Sequence, residues 1–171
     1  MKSIYILKTG ETFPKTKEKF GDFDAWILNV SGKSTKNFKI INILENEKLP
    51  DLQSAAGFII TGSHSMVSDE LSWSLQLEKY IKKIDLKNIP LLGICYGHQL
   101  IAKALGGKSD FNKQGKEIGR VKIKTSIHAS SDPLFKGFSK QFYAFETHDQ
   151  SVLKLPQTAV VLAYNSKEQH Q

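Results

Sequence analysis

The sequence predicts an α/β protein: a central, mostly parallel sheet flanked by helices in three layers, with additional antiparallel β segments in the C-terminal half. Short apolar runs alternate with helical patterns along the first two thirds of the chain, the order expected of a parallel sheet with crossover helices. After Gly106-Gly107 the pattern turns to partly alternating β segments. A length of 171 residues supports one sizeable core, so a single domain over 1–171 is expected.

Residues 3–7 form the first predicted strand, beginning almost at the initiator methionine, and 38–44 the second. Gly57-Phe58-Ile59-Ile60-Thr61 is the third, and its unbroken apolar character predicts burial on both faces. A helix is expected over about 70–84, with Ser68 or Asp69 capping its free N–H groups. Trp73, Leu77, Tyr80, Ile81 and Ile84 recur there at helical spacing and form its core-facing stripe. Asn88-Ile89-Pro90 turns the chain into a fourth strand over 91–94. A helix from about His98 to Leu105 follows, stopped by Gly106-Gly107, where left-handed backbone is free of steric cost. Segments 117–125 and 141–146 read as β, Ser131 to Phe135 as a turn with an apolar anchor, and 158–164 as a late strand.

The net charge is +7, but the lysines are dispersed among acids: Lys79, Lys82 and Lys83 share a helix with Glu78 and Asp85. That is a solvated lysine-rich surface, and no nucleic-acid partner is expected. One cysteine excludes an intramolecular disulfide, fits a reducing compartment and leaves a thiol to explain. The N-terminus lacks the long apolar core of a signal peptide, and no stretch approaches membrane-spanning length, so a cytoplasmic protein without a membrane partner is expected. One Cys and no paired His at ligand spacing argue against a metal, and no cofactor is expected.

The informative junction is Gly93-Ile94-Cys95-Tyr96-Gly97-His98-Gln99, where an apolar strand runs at once into a helix. This is the G-x-nucleophile-x-G elbow with cysteine in the place of serine. A turn so tight strains its central residue and crowds its neighbours, which is why glycines flank it. It also raises the sulfur above the sheet edge at a helix N-terminus, where the positive dipole end favours thiolate. The Tyr96 backbone N–H then points to where an oxyanion forms on an attacked carbonyl. A lone cysteine elsewhere is as readily a small buried hydrophobe; strand, helix and both glycines together make Cys95 a nucleophile. A second oxyanion donor is offered by the turn Thr61-Gly62-Ser63-His64-Ser65, at the C-terminal edge where parallel sheets place their sites.

These residues resemble a class I glutamine amidotransferase domain, close to the guanosine monophosphate synthase-like group. The resemblance is carried by Ile60-Thr61-Gly62-Ser63-His64-Ser65-Met66-Val67 and by Leu91 to Ala102 around Cys95. Ala104-Leu105-Gly106-Gly107, Gly115-Lys116-Glu117-Ile118-Gly119, Asp132-Pro133-Leu134-Phe135, Thr147-His148-Asp149-Gln150-Ser151-Val152 and Leu155-Pro156 continue it in order. The fold so implied is flavodoxin-like. The activity implied is attack of Cys95 on the side-chain amide of glutamine, giving a γ-glutamyl thioester and ammonia, then glutamate by hydrolysis. Gly62 and Tyr96 would supply the oxyanion N–H groups, and Gln99 with Thr147, His148 and Asp149 would hold the amino-acid end of the substrate. Thr61-Gly62-Ser63 departs from the family's commoner Gly-Gly-Pro.

A cysteine nucleophile needs a histidine base and an acid to orient it. From position alone His148 is the best candidate, following a strand in a polar loop beside Asp149. The resemblance assigns the base and its acid instead to a later Gln-Phe-His-Pro-Glu segment, and makes the stretch around His148 part of the substrate pocket. No His-Pro-Glu occurs here, and Lys167-Glu168-Gln169-His170-Gln171 resembles the family's run just before it. The chain is therefore expected to be a C-terminally incomplete domain with little or no turnover. With no synthetase domain or nucleotide-binding Gly-rich loop, any ammonia-accepting partner would be a separate chain. Two other functions fit the same elbow: a γ-glutamyl peptidase or hydrolase, and a catalytically inactive binding or regulatory protein.

Overall fold

A computed structural model of the chain describes residues 2–32 and 35–171, which fall into two compact units, Met1–Leu105 and Gly106–Gln171. In the first, β1 (Ser3–Lys8) leads into two short helices, α1 (Pro14–Phe20) and α2 (Phe23–Val30). Neither helix is expected from periodicity, although each carries a start signal. Pro14 occupies the first turn of α1, where a missing N–H costs nothing. Asp22 caps α2 by accepting the Phe23 N–H.

Next come β2 (Phe38–Asn42), β3 (Ala55–Ile60), α3 (Ser72–Leu86), β4 (Leu91–Gly93) and α4 (Tyr96–Ala104). The four strands form one wholly parallel sheet in the order β2-β1-β3-β4. β2 is shorter than expected because the Asn42 side chain accepts the Leu44 N–H and starts a 3₁₀ turn, Ile43–Glu45. The expected helix cap also moves. Ser68 and Asp69 lie in a 3₁₀ turn that ends at Glu70 with φ 50, and Leu71 precedes α3 without a side-chain cap. α4 begins at Tyr96, two residues before its expected start, because the Cys95 carbonyl already accepts the Gln99 N–H.

One face of this sheet makes the core. Tyr5, Leu7, Phe58 and Ile60 pack with Leu77, Tyr80, Ile81 and Ile84 of α3 and with Tyr96, Leu100 and Ala104 of α4. The predicted stripe of α3 is thus the buried one, with Trp73 partly buried at its start. Lys103 ties α4 to α3 and its approach by pairing with Glu78 at 2.9 Å and Glu70 at 3.0 Å. On the opposite face Ile40, Ile6, Ile59 and Leu92 stand in register; Ile6 is fully buried, whereas Ile40 and Leu92 are exposed.

The second unit is antiparallel β. β5 (Lys108–Phe111), β6 (Glu117–Thr125), β7 (Gln141–His148), β8 (Gln150–Lys154) and β9 (Ala163–Tyr164) make a β5-β8 pair and a β7-β6-β9 sheet. β6 spans the residues expected, and β7 runs two residues further than 146. The late strand shrinks from 158–164 to two residues because β6 ends at Thr125 and offers no further ladder. The carbonyls of Val161 and Leu162 are met instead by Ser126. Among the described residues no helix is long and apolar enough to cross a membrane, and no group of three or more metal-ligating side chains occurs.

Candidate active site

The elbow is built as strand, strained residue, helix. β4 ends at Gly93, Ile94 N–H donates to the Ile60 carbonyl at 3.0 Å, and Cys95 takes φ 51 and ψ −105 before α4 begins. A cysteine at positive φ is strained, and such strain persists only where the surroundings enforce it. Here the enforcement is steric. A Cβ at Gly93 would fall 2.5 Å from the Gly97 carbonyl carbon and the His98 nitrogen, and one at Gly97 would fall 2.5 Å from the Ile60 carbonyl oxygen. Both glycines are therefore required by close backbone approach, and together they set Cys95 at the head of α4, exposed. Tyr96 is the first residue of that helix, so its N–H belongs to the orphan donors of the first turn. Its side chain lies apart from this role: the ring is buried, with its hydroxyl 2.7 Å from Ser74 Oγ, and burial pushes its pKa up to about 12.

Gly62 lies beside Cys95, since a Cβ there would sit 3.7 Å from Cys95 Cβ. Gly62, Cys95 and Tyr96 are thus brought together in the first unit. Gln99 follows one turn along α4, and it is buried.

Thr147, His148 and Asp149 belong to the second unit, at the end of β7 and in the turn to β8. Thr147 is exposed, and Asp149 pairs with Lys116 at 3.1 Å. His148 is held at both ring nitrogens: Nδ1 lies 3.0 Å from the Gln150 carbonyl and Nε2 lies 3.1 Å from Glu117 Oε2. Both ring nitrogens are thus engaged by groups of the second unit. Glu117, buried, also accepts from Asn165 and Gln171 at 3.0 Å each. Burial, with Glu117 and Glu168 nearby, pushes the Glu146 carboxyl up from the usual range.

Thr9 and Gly10 are not singled out by sequence pattern, yet they follow β1 directly and pack against the 61–63 turn. The signal that could have marked them is position: Thr-Gly directly after the first strand of a parallel sheet lies at the edge where sites form.

A parallel α/β sheet with a strained cysteine at a strand-to-helix elbow defines a cysteine-nucleophile enzyme scaffold. Comparison with known proteins agrees. The sequence model described as glutamine amidotransferase class-I matches residues 20–171, and the chain belongs to that family. It is 30% identical over 154 residues to gamma-glutamyl peptidase 4 of Arabidopsis thaliana, covering 88% of this chain and 61% of the relative. It is 35% identical over 108 residues to one of the subunits of the glutamine-hydrolyzing GMP synthase of Pyrococcus abyssi, covering 63% of this chain and 53% of the relative. The crystal structure of a glutamine amido transferase from Methylobacillus flagellatus superposes with a TM-score of 0.80 at 22% identity, over 100% of this chain and 64% of that one, which shows a shared fold. The chain spans about three fifths of the length of the gamma-glutamyl peptidases it matches.

Proposed function

We propose that the two units form one glutamine amidotransferase domain in which Cys95 cleaves the side-chain amide of glutamine. The observation that carries this reading is the strained Cys95 on its glycine-flanked elbow, with Gly62 beside it. The Cys95 thiolate adds to the amide carbon, and the Gly62 and Tyr96 N–H groups receive the oxyanion. The C–N bond breaks, ammonia leaves with a proton taken from solvent water, and a second water hydrolyses the thioester to glutamate and free thiol. Gln99 and the Thr147–Asp149 stretch bind the amino-acid end, with His148 contributing through backbone because its ring is occupied. A single domain is supported by the family match, which runs through both units.

These 171 residues contain no His-Pro-Glu, the segment that supplies the family's base and acid, so acylation of Cys95 is expected without steady turnover. Incubation with the chloromethyl ketone analogue of glutamine, followed by intact mass, should add one label that Cys95→Ala abolishes. Labelling that survives Cys95→Ala defeats the nucleophile assignment. Steady ammonia release that His148→Ala removes would restore His148 as the base. Any released ammonia is expected to pass to a separate acceptor-activating chain, in keeping with the Pyrococcus relative, whose name makes it one component of a larger synthase.

A second reading is favoured by the Arabidopsis relative, which is similar over 88% of this chain. It makes Cys95 the nucleophile of a γ-glutamyl peptidase. Thioester accumulation from γ-glutamyl dipeptides, with none from free glutamine, would select it.

A further inference from the structure

We infer that Thr9 and Gly10 are positioning residues that aim the Gly62 N–H at the oxyanion, an assignment that rests on the proposed role of Gly62. Thr9 and Thr61 are both fully buried. Their donors and acceptors close into one consistent set: Thr9 N–H donates to Thr61 Oγ1 at 3.0 Å, Thr9 O–H donates to the Thr61 carbonyl at 2.9 Å, and Thr61 O–H donates to the Gly62 carbonyl at 3.0 Å.

The middle bond matters most. The Thr61 carbonyl and the Gly62 N–H belong to one planar trans peptide and point in opposite directions. A hydroxyl that holds the carbonyl at one end therefore fixes where the N–H points at the other. It also polarises the peptide, making the N–H a better donor. Gly10 closes the second side: a Cβ there would meet Ser63 Cα at 2.6 Å, so only glycine lets this segment lie against the turn.

The segment carrying Thr9 and Gly10 is itself clamped. Lys8 Nζ lies 2.8 Å from Asp22 Oδ2, and Asp22 Oδ1 accepts the N–H groups of Thr12 at 2.8 Å and Phe23 at 2.9 Å. The chain is pinned on either side of Gly10, which gives the 61–63 turn a fixed wall. The turn Thr61-Gly62-Ser63 carries no proline, and buried side-chain hydroxyls stiffen it instead.

The experiment compares alkylation of Cys95 in the 171-residue protein by two reagents. The chloromethyl ketone analogue of glutamine passes through an oxyanion, whereas iodoacetamide alkylates by direct displacement and needs none. In Thr9→Val the ratio of the two rates should fall about tenfold or more, within the range for weakening one oxyanion donor. The iodoacetamide rate should stay near the parent value, and Thr9→Ser should restore the ratio. Gly10→Ala, which displaces the turn without deleting a hydrogen bond, should lower the ratio as well, and it carries the test if Thr9→Val fails to fold. A parent-like ratio in either folded variant, Thr9→Val or Gly10→Ala, overturns the positioning role. A parent protein whose ratio of the two rates is no higher than that of free cysteine with the same two reagents overturns instead the reading of Gly62 on which it rests.

Discussion

Cys95 occupies a backbone conformation that its neighbours impose, and the imposition is readable in the two glycines around it. Replacing Gly97 by Ala puts a methyl group 2.5 Å from the Ile60 carbonyl oxygen. The expected loss is about 1–3 kcal/mol, measured by urea denaturation, together with slower labelling of Cys95. Tyr96→Phe should behave differently. It removes the hydroxyl that meets Ser74 and leaves a buried polar group unpaired, at about 1–3 kcal/mol. Labelling of Cys95 should persist, since the role assigned to Tyr96 lies in its backbone N–H. Asp22 gives a pH signature. Burial alone would raise its pKa, but Lys8 and the Thr12 and Phe23 N–H groups outweigh it and hold the carboxyl at about 2. A depressed carboxylate pKa stabilises the fold above the unfolded value of about 3.9 and loses that contribution as pH falls from there through about 2. The amount is on the order of 2 kcal/mol, and Asp22→Asn should flatten the stability profile across that window.

Among the elements, those legible in the sequence are the ones whose burial is written into their periodicity. The stripe of α3 and alternate residues of β1 and β3 pack into one core, with Leu91 of β4 partly buried against it, so pattern and structure coincide there, whereas Leu92 of β4 is exposed. Leu77→Ala, at a fully buried position of that stripe, should cost about 2–5 kcal/mol in equilibrium unfolding. Where burial does not follow from local pattern, expectation and structure part. α1 and α2 bury no residue, so neither writes a core stripe, and only Pro14 and Asp22 mark their starts. At 158–164 the composition is right for a strand, yet pairing decides, and β6 offers a partner to Ala163 and Tyr164 alone.

For the molecule as a whole, the elbow and the neighbouring Gly62 assemble within the first unit, while the residues proposed to grip the substrate's amino-acid end include a stretch of the second. If proton transfer limits turnover in this polypeptide, added imidazole should raise ammonia release from glutamine in proportion to its concentration; no effect would place the limit elsewhere. The family match, rather than the charge of +7, guides the function.

The elbow at Cys95 is legible in the chain alone, because an apolar strand, two glycines and a helix in immediate succession specify their own geometry. The parallel strands and the core stripe of α3 were visible for a related reason, since hydrophobic burial repeats at the period of the element. The occupation of both His148 ring nitrogens, and the grip of Thr9 and Gly10 on the turn at Gly62, depend on residues brought together across about 30 to 50 positions of sequence. Such contacts leave no periodic trace, and only the folded chain decides them.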